Sequence, residues 1–219
     1  MASTRTSDSY SAGEELAHAL THGVGAVLSV AALVVLVVYS ALYGDAWHIT
    51  STSIYGLTLI LLYTASTLYH SVSHPTAKQV LQKLDHAAIF LLIAGTYTPF
   101  TLVNLRGPWG WTLFALVWGV AIAGIALELG CRKCPKAISV SLYLGLGWIV
   151  LIAIKPLLAQ VDPGGIRLLF AGGIAYSLGV IFYLWKTLVY HHAVWHLFVL
   201  AGSVFHFFAV FFFVVPPAT

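Results

Sequence analysis

Charge is what this sequence most lacks. Only 8% of its 219 residues are Asp, Glu, Lys or Arg, against roughly a quarter in an ordinary soluble domain. A chain so short of charge cannot clothe a water-facing surface. That excludes a water-soluble enzyme, a nucleic-acid binder and a disordered tail as readings of the whole chain. Cysteine is nearly absent as well: Cys131 and Cys134 are the two in the sequence, which excludes a disulfide scaffold. Residues 1–20 contain no apolar run, so they do not read as a cleavable signal peptide. The first membrane span then serves as the insertion signal.

What is present is apolar surface. Hydrophobic residues make up 60% of the chain, and the mean hydropathy is +0.92. At about 20 residues per helical span, the length leaves room for seven spans and no separate soluble domain. Apolar stretches run over His22–Tyr43, Ile49–Ser71, Asp85–Leu105, Trp109–Leu129, Ala137–Leu158, Gly165–Trp185 and His192–Val215. Runs such as Leu33–Val38 and Val210–Val215 do not alternate as barrel strands must. Turn chemistry separates them at Tyr43-Gly44-Asp45, Arg106-Gly107-Pro108 and Asp162-Pro163-Gly164,. Pro99, inside the third stretch, predicts a kink. The expectation is an all-α membrane protein: a short polar segment over 1–21, then a seven-helix bundle over 22–219.

Positive charge sets the expected orientation. With seven spans, Arg5, Lys78, Lys83, Arg132, Lys133, Lys136 and Lys186 share one side, and Arg106, Lys155 and Arg167 the other. The richer side faces the cytoplasm. The N-terminus is therefore expected inside the cell and the C-terminus outside, opposite to G-protein-coupled receptors.

The sequence holds ten histidines, and on this topology all but His48 and His206 fall near the cytoplasmic boundary. Ionisable groups at membrane depth point to function, although an interfacial imidazole is also a serviceable amphipathic side chain. His192 and His196, four apart at the start of the seventh span, lie on one helical face. His70 closes the second span and Asp85 opens the third. The four meet at one depth on three helices. That suggests a three-histidine zinc site with an open position for water and a carboxylate in its surroundings.

Other candidates are weighed against them. His18 and His22 are also four apart but precede the predicted membrane, so they read as a solvated helix face. His74, beside Pro75, reaches water. His86 and His191 point about 100° away from their neighbours Asp85 and His192. His206 lies about 21 Å along the helix from His192 and reads as a hydrogen-bonded core residue. Ser66, four before His70, either bonds back to its own helix or reaches toward a metal-bound water or substrate carbonyl. Glu128 reads as solvated at the interface. The lone CxxC of Cys131 and Cys134, assigned to the reducing cytoplasm, predicts free thiols and lends a second zinc site little support.

Taken together, Ser66-Thr-Leu-Tyr-His70, Lys83-Leu-Asp85-His86, Gly95-Thr-Tyr-Thr-Pro99 and His192-Ala-Val-Trp-His196 resemble the motifs of the hemolysin III family. This is the bacterial branch of the progestin and adipoQ receptors, which includes the adiponectin receptors. The resemblance runs from Glu15 and Thr21-His22-Gly23 to His206. It implies seven spans with the N-terminus inside, zinc on His70, His192 and His196, and Asp85 beside the metal-bound water. The Ser, Asp and three-His set is also similar to that of alkaline ceramidases. The receptors carry a long cytoplasmic N-terminal domain, and this chain has only residues 1–21 there, so a hormone-receptor role is not expected.

These expectations converge on a multi-pass protein of the cell membrane and a zinc-dependent hydrolase of a lipid amide or ester, with no nucleic-acid partner. Asp85 would act as general base and Ser66 would help to stabilise the oxyanion. The rival readings are a non-enzymatic sensor or regulator of membrane lipid state with structural zinc, and a pore-forming cytolysin. No span carries the charged stripe that would line a polar pore, so the cytolysin ranks last.

Overall fold

A computed structural model of the chain describes residues 10–131 and 135–217. Arg5, Arg132, Lys133 and Cys134, which entered the reading above, lie outside these residues. The described residues form helices α1 (Ala12–Tyr43), α2 (Ala46–Ser71), α3 (Pro75–Pro99), α4 (Pro108–Gly130), α5 (Lys136–Gly147), α6 (Ile154–Gln160), α7 (Pro163–Leu184) and α8 (His191–Phe213). Seven spans are long and apolar enough to cross a membrane, with α5 and α6 sharing the fifth.

Two spans start earlier than hydropathy suggests. α1 begins at Ala12 because Ser11 and Glu14 form a capping box. The Ser11 hydroxyl accepts from the Glu14 N–H at 3.3 Å, and the Glu14 carboxylate accepts from the Ser11 N–H at 2.9 Å. Such a box satisfies two orphan donors of the first turn. The expected division between residues 21 and 22 therefore falls inside a helix. α3 begins at Pro75, well before Asp85, since proline at N1 presets the helical φ.

Two spans are interrupted. After Pro99 the third span continues as a π turn over Phe100–Asn104, with the Leu105 N–H donating to the Phe100 carbonyl at 2.8 Å. The expected proline break thus takes the form of one wide turn. The fifth span, expected to be continuous, breaks after Gly147 into a 3-10 turn over Ile149–Ala153. The Tyr97 hydroxyl sits in that break. It donates to the Gly147 carbonyl at 2.7 Å and accepts from the Val150 N–H at 3.0 Å. A backbone freed at membrane depth needs such partners.

Burial along α1 is inverted relative to a helix of a soluble bundle. α1 buries Glu14, His18, His22, Gly25, Ser29 and Ser40 together with one large apolar residue, Leu36, and turns Leu16, Leu20 and Val27 outward. Lipid is the favourable surroundings for leucine, so small and polar residues face the protein. Gly25 is one instance: a Cβ there would collide with the Tyr63 ring, and its absence lets α1 lie close on α2. α1 packs on α2 and α8, α2 on α3, α3 on α4, and α7 on α8, while α5 meets α7 only sparsely. The end of α2 and the starts of α1, α3 and α8 gather at one end of the bundle, which carries the site.

Candidate metal centre

His70 sits in the last turn of α2, and His192 and His196 in the first turns of α8. One ring nitrogen from each lies within 4.8 Å of the others, and all three are buried. Ring centroids are 5.2 Å apart for His70–His192 and for His70–His196, and 4.6 Å for His192–His196. Nε2 of His70 and Nδ1 of His192 are buried with no hydrogen-bond partner. Leaving such atoms unpaired is costly, and a cation held between them removes the cost. Three imidazole nitrogens suit zinc. Bonds of 2.0–2.1 Å would set the nitrogens about 3.4 Å apart, a modest closure of the rings as they stand. No fourth protein donor joins this trio among the described residues.

α1 holds one ring nitrogen each of His70 and His196. Glu15 Oε2 lies 2.6 Å from His70 Nδ1, and Lys78 Nζ donates to Glu15 Oε1 at 2.7 Å. His196 Nδ1 lies 3.1 Å from the Thr21 hydroxyl and 3.3 Å from the His18 carbonyl. With Nδ1–H donated outward, Nε2 of His70 and of His196 keeps its lone pair for the centre, while Nδ1 of His192 has no such partner. A second grouping of Glu15, His18 and His70 also offers three donors, but it shares His70, and both Glu15 oxygens are already engaged.

His18 and His22 correct the sequence reading. They are 0% and 3% exposed, not solvated. The His22 ring stacks on His196 at 3.5 Å, and the His18 ring lies 4.6 Å from His70. Tyr10 lies over the cluster, 4.7 Å from His18 and 5.4 Å from His192. Burial pushes its phenol well above the ordinary range,. Two signals in the sequence pointed this way. One is the capping box at Ser11. The other is the polar and small stripe 14, 18, 22, 25, 29 at helical spacing. Glu15 and Thr21 share that first stretch and were not assigned roles.

The start of α8 is set by strain. Tyr190 adopts a left-handed backbone, φ 58°, a sparsely populated region for a non-glycine residue. Its N–H lies 3.4 Å from Glu14 Oε1, which ties α8 to α1 next to the histidines.

Asp85 and Ser66 stand apart from the trio and face the same space. Both line a cavity of about 320 Å³ that also touches His22, His192 and His196. Ser66 is fully buried and its hydroxyl lies beside the Asp85 carboxyl. It does not bond back to its own helix, whereas its neighbour Thr67 does so at 2.6 Å. The cavity runs on between α3, α5 and α7, past Tyr143 and Trp148 to His206.

The remaining candidates resolve individually. Glu128, expected to be solvated, accepts from Ser139 at 2.8 Å and lies 2.9 Å from His86 Nδ1, because α4 and α5 close over it. His86 is thereby directed to α4 and His191 to the Phe182 carbonyl at 3.0 Å. His206 Nε2 bonds the Leu169 carbonyl at 3.1 Å, as a core histidine should. His74 caps α3 at the surface. Cys131 is disulfide-bonded rather than a free thiol, which corrects the expectation drawn from the compartment.

A family model described as haemolysin-III related matches residues 10–207. The chain is 49% identical over 207 residues to "Hemolysin-3" of Bacillus cereus, covering 94% of each chain. It is 50% identical over 202 residues to "Hemolysin-3 homolog" of Bacillus subtilis (strain 168), covering 92% of this chain and 95% of that one. A more distant similarity, 28% over 203 residues, is to "Monocyte to macrophage differentiation factor" of Homo sapiens, covering 90% and 83%.

Proposed function

From the premise that this chain belongs to the haemolysin-III related family, we propose that it is a zinc-dependent hydrolase of a lipid amide or ester. One observation carries the reading. A three-histidine donor set with no fourth protein ligand among the described residues opens onto the same cavity as a buried aspartate and a buried serine. Structural zinc sites are closed by four protein ligands, and catalytic ones keep a position open.

His70, His192 and His196 hold the ion, which supplies Lewis acidity toward a water and a carbonyl oxygen. Asp85 accepts the proton of the attacking water and returns it to the leaving amine or alcohol. Ser66 donates its hydroxyl proton in a hydrogen bond to the developing oxyanion. The apolar cavity beyond them takes the acyl chain. The bundle lies in the cell membrane with the site at the cytoplasmic leaflet. The charge asymmetry of Lys78, Lys83, Lys136 and Lys186 at that end supports this,.

The test reconstitutes wild type, Asp85→Asn and His196→Ala in vesicles containing ceramide or ester lipids and measures fatty-acid release. Asp85→Asn is expected to keep its zinc and lose about 10²- to 10⁴-fold in rate. His196→Ala is expected to lose both. Full activity in Asp85→Asn would remove the assigned base. Zinc-loaded wild type that is inert on both lipid classes would leave the regulator reading in its place.

A further inference from the structure

We infer that Glu15 is a positioning residue of the metal centre, holding His70 in the tautomer and orientation that ligate. The inference rests on the reading of His70, His192 and His196 as metal ligands, and adds a control element on a different helix.

His70 lies in the last turn of α2, buried among the rings of His18, His192 and His196. Its Nδ1 is 2.6 Å from Glu15 Oε2, a short contact characteristic of a charge-assisted hydrogen bond. Its Nε2 is buried and unpartnered on the side of His192 and His196. An uncharged imidazole has one N–H and one lone pair. A hydrogen bond donated by Nδ1–H to Glu15 leaves the lone pair on Nε2. A carboxylate in this place also raises the basicity of the ring as a ligand.

Glu15 is itself fixed. Its other oxygen takes Lys78 at 2.7 Å, and that ammonium also reaches the carbonyls of Tyr69 and Val72 at 3.3 and 3.4 Å. These carbonyls belong to the end of α2, so the chain Lys78–Glu15–His70 closes on the helix that carries the ligand. His196 has a weaker counterpart in Thr21 and the His18 carbonyl. There the backbone carbonyl remains when the threonine side chain is removed. The two outer contacts thus predict unequal effects.

The experiment measures zinc affinity of the detergent-purified full chain by chelator competition. The variants are Glu15→Ala, Glu15→Gln and Thr21→Val, each checked for monodispersity and melting without metal. Glu15→Ala is expected to bind zinc 10- to 100-fold more weakly, the usual cost of losing such a partner. Glu15→Gln keeps an acceptor for His70 without the charge and is expected to recover about half of that loss on a logarithmic scale. Thr21→Val is expected to change affinity by less than about threefold. The visible spectrum of the Co²⁺-loaded protein reports ligand geometry and is expected to shift in Glu15→Ala and not in Thr21→Val.

A folded Glu15→Ala with wild-type affinity and spectrum overturns the inference while the metal site stands. If Glu15→Ala does not fold, Glu15→Gln decides: wild-type affinity there overturns the inference, and weakened affinity supports it. Wild type that binds no zinc removes the metal reading itself, and the inference with it.

Discussion

Two polar clusters are buried within this bundle, and they are finished in opposite ways. Near mid-span, the Ser203 hydroxyl meets the hydroxyls of Tyr63 and Tyr176, each at 2.8 Å. Tyr55 adds a longer contact to the Ser203 carbonyl at 3.5 Å. α2, α7 and α8 supply every partner the hub needs. At the end of the bundle, the histidine cluster leaves Nε2 of His18, both ring nitrogens of His22, Nε2 of His70 and Nδ1 of His192 without a hydrogen bond, and His18 Nδ1 has only a 3.8 Å approach to Glu15. A membrane gives no water to satisfy a buried polar atom. A hub satisfied by its own hydroxyls holds helices together. A cluster left open by its own side chains has room for another partner, and its imidazole nitrogens could hold a metal ion.

The sharpest way to break this comparison is to empty the open cluster. Wild type purified without chelator is expected to carry about one zinc per chain, and His192→Ala and His196→Ala close to none. Metal analysis of the three proteins checks it. At a thousandfold excess of metal over Kd, binding stabilises the fold by about 4 kcal/mol, so EDTA is expected to lower the melting temperature of wild type and not of the histidine variants. Equal metal in wild type and both variants would place the ion elsewhere and leave the unpaired nitrogens unexplained.

The same contrast shows where sequence reasoning reached and where it stopped. The seven spans were legible because apolar runs of membrane length leave few alternatives. His70, His192 and His196 were legible because topology and an i, i+4 spacing put them at one depth. The turn before the membrane was misread because hydropathy assigns polar residues to water. In α1 the amphipathic sense is reversed, and the polar stripe of Glu14, His18 and His22 faces inward. Ser66 and Thr67 were indistinguishable as sequence, since both sit in an apolar helix. Only tertiary packing makes one bond to its own helix and leaves the other facing the cavity. The break after Gly147 lies ahead of Pro156, in the first turn of α6, which cannot donate a hydrogen bond back into the interrupted segment,, and the Tyr97 hydroxyl from another helix completes it.

A smaller effect is expected from opening the closed hub. Ser203→Ala strips a partner from Tyr63 and Tyr176 together, leaving two buried hydroxyls. The cost is about 1–3 kcal/mol, read as a drop in melting temperature in detergent, with zinc content unchanged. Tyr63→Phe removes one hydroxyl and leaves Ser203 paired with Tyr176. Polar contacts between membrane helices average about 0.6 kcal/mol, and the loss is expected near that value. If Ser203→Ala released the zinc, the two clusters would be coupled through α8, and their separation would fail.

The smallest effect lies at the opposite end of the bundle, where a polar group is completed by its neighbours in open water. Asp45 caps α2, its Oδ1 accepting from the N–H groups of Trp47 and His48 at 2.8 and 3.1 Å and lying 2.8 Å from His48 Nδ1. The His48 side chain, with the backbone N–H groups behind it, holds the Asp45 carboxyl below its ordinary value of 3.8. A depressed carboxyl pKa means that the folded chain favours the carboxylate. Its contribution to stability is full above pH 3.8 and fades as pH falls through the folded value. Asp45 is exposed, so solvent and salt screen much of the interaction. Asp45→Asn, which keeps a good cap, is therefore expected to melt within a degree or so of wild type at pH 7 and to lose the acid-side dependence. Unlike either buried cluster, this group has water as an alternative partner at every step, so removing its charge leaves nothing stranded. A large loss in Asp45→Asn at neutral pH would show that the cap is not completed by its neighbours alone, and would move it toward the histidine cluster in kind.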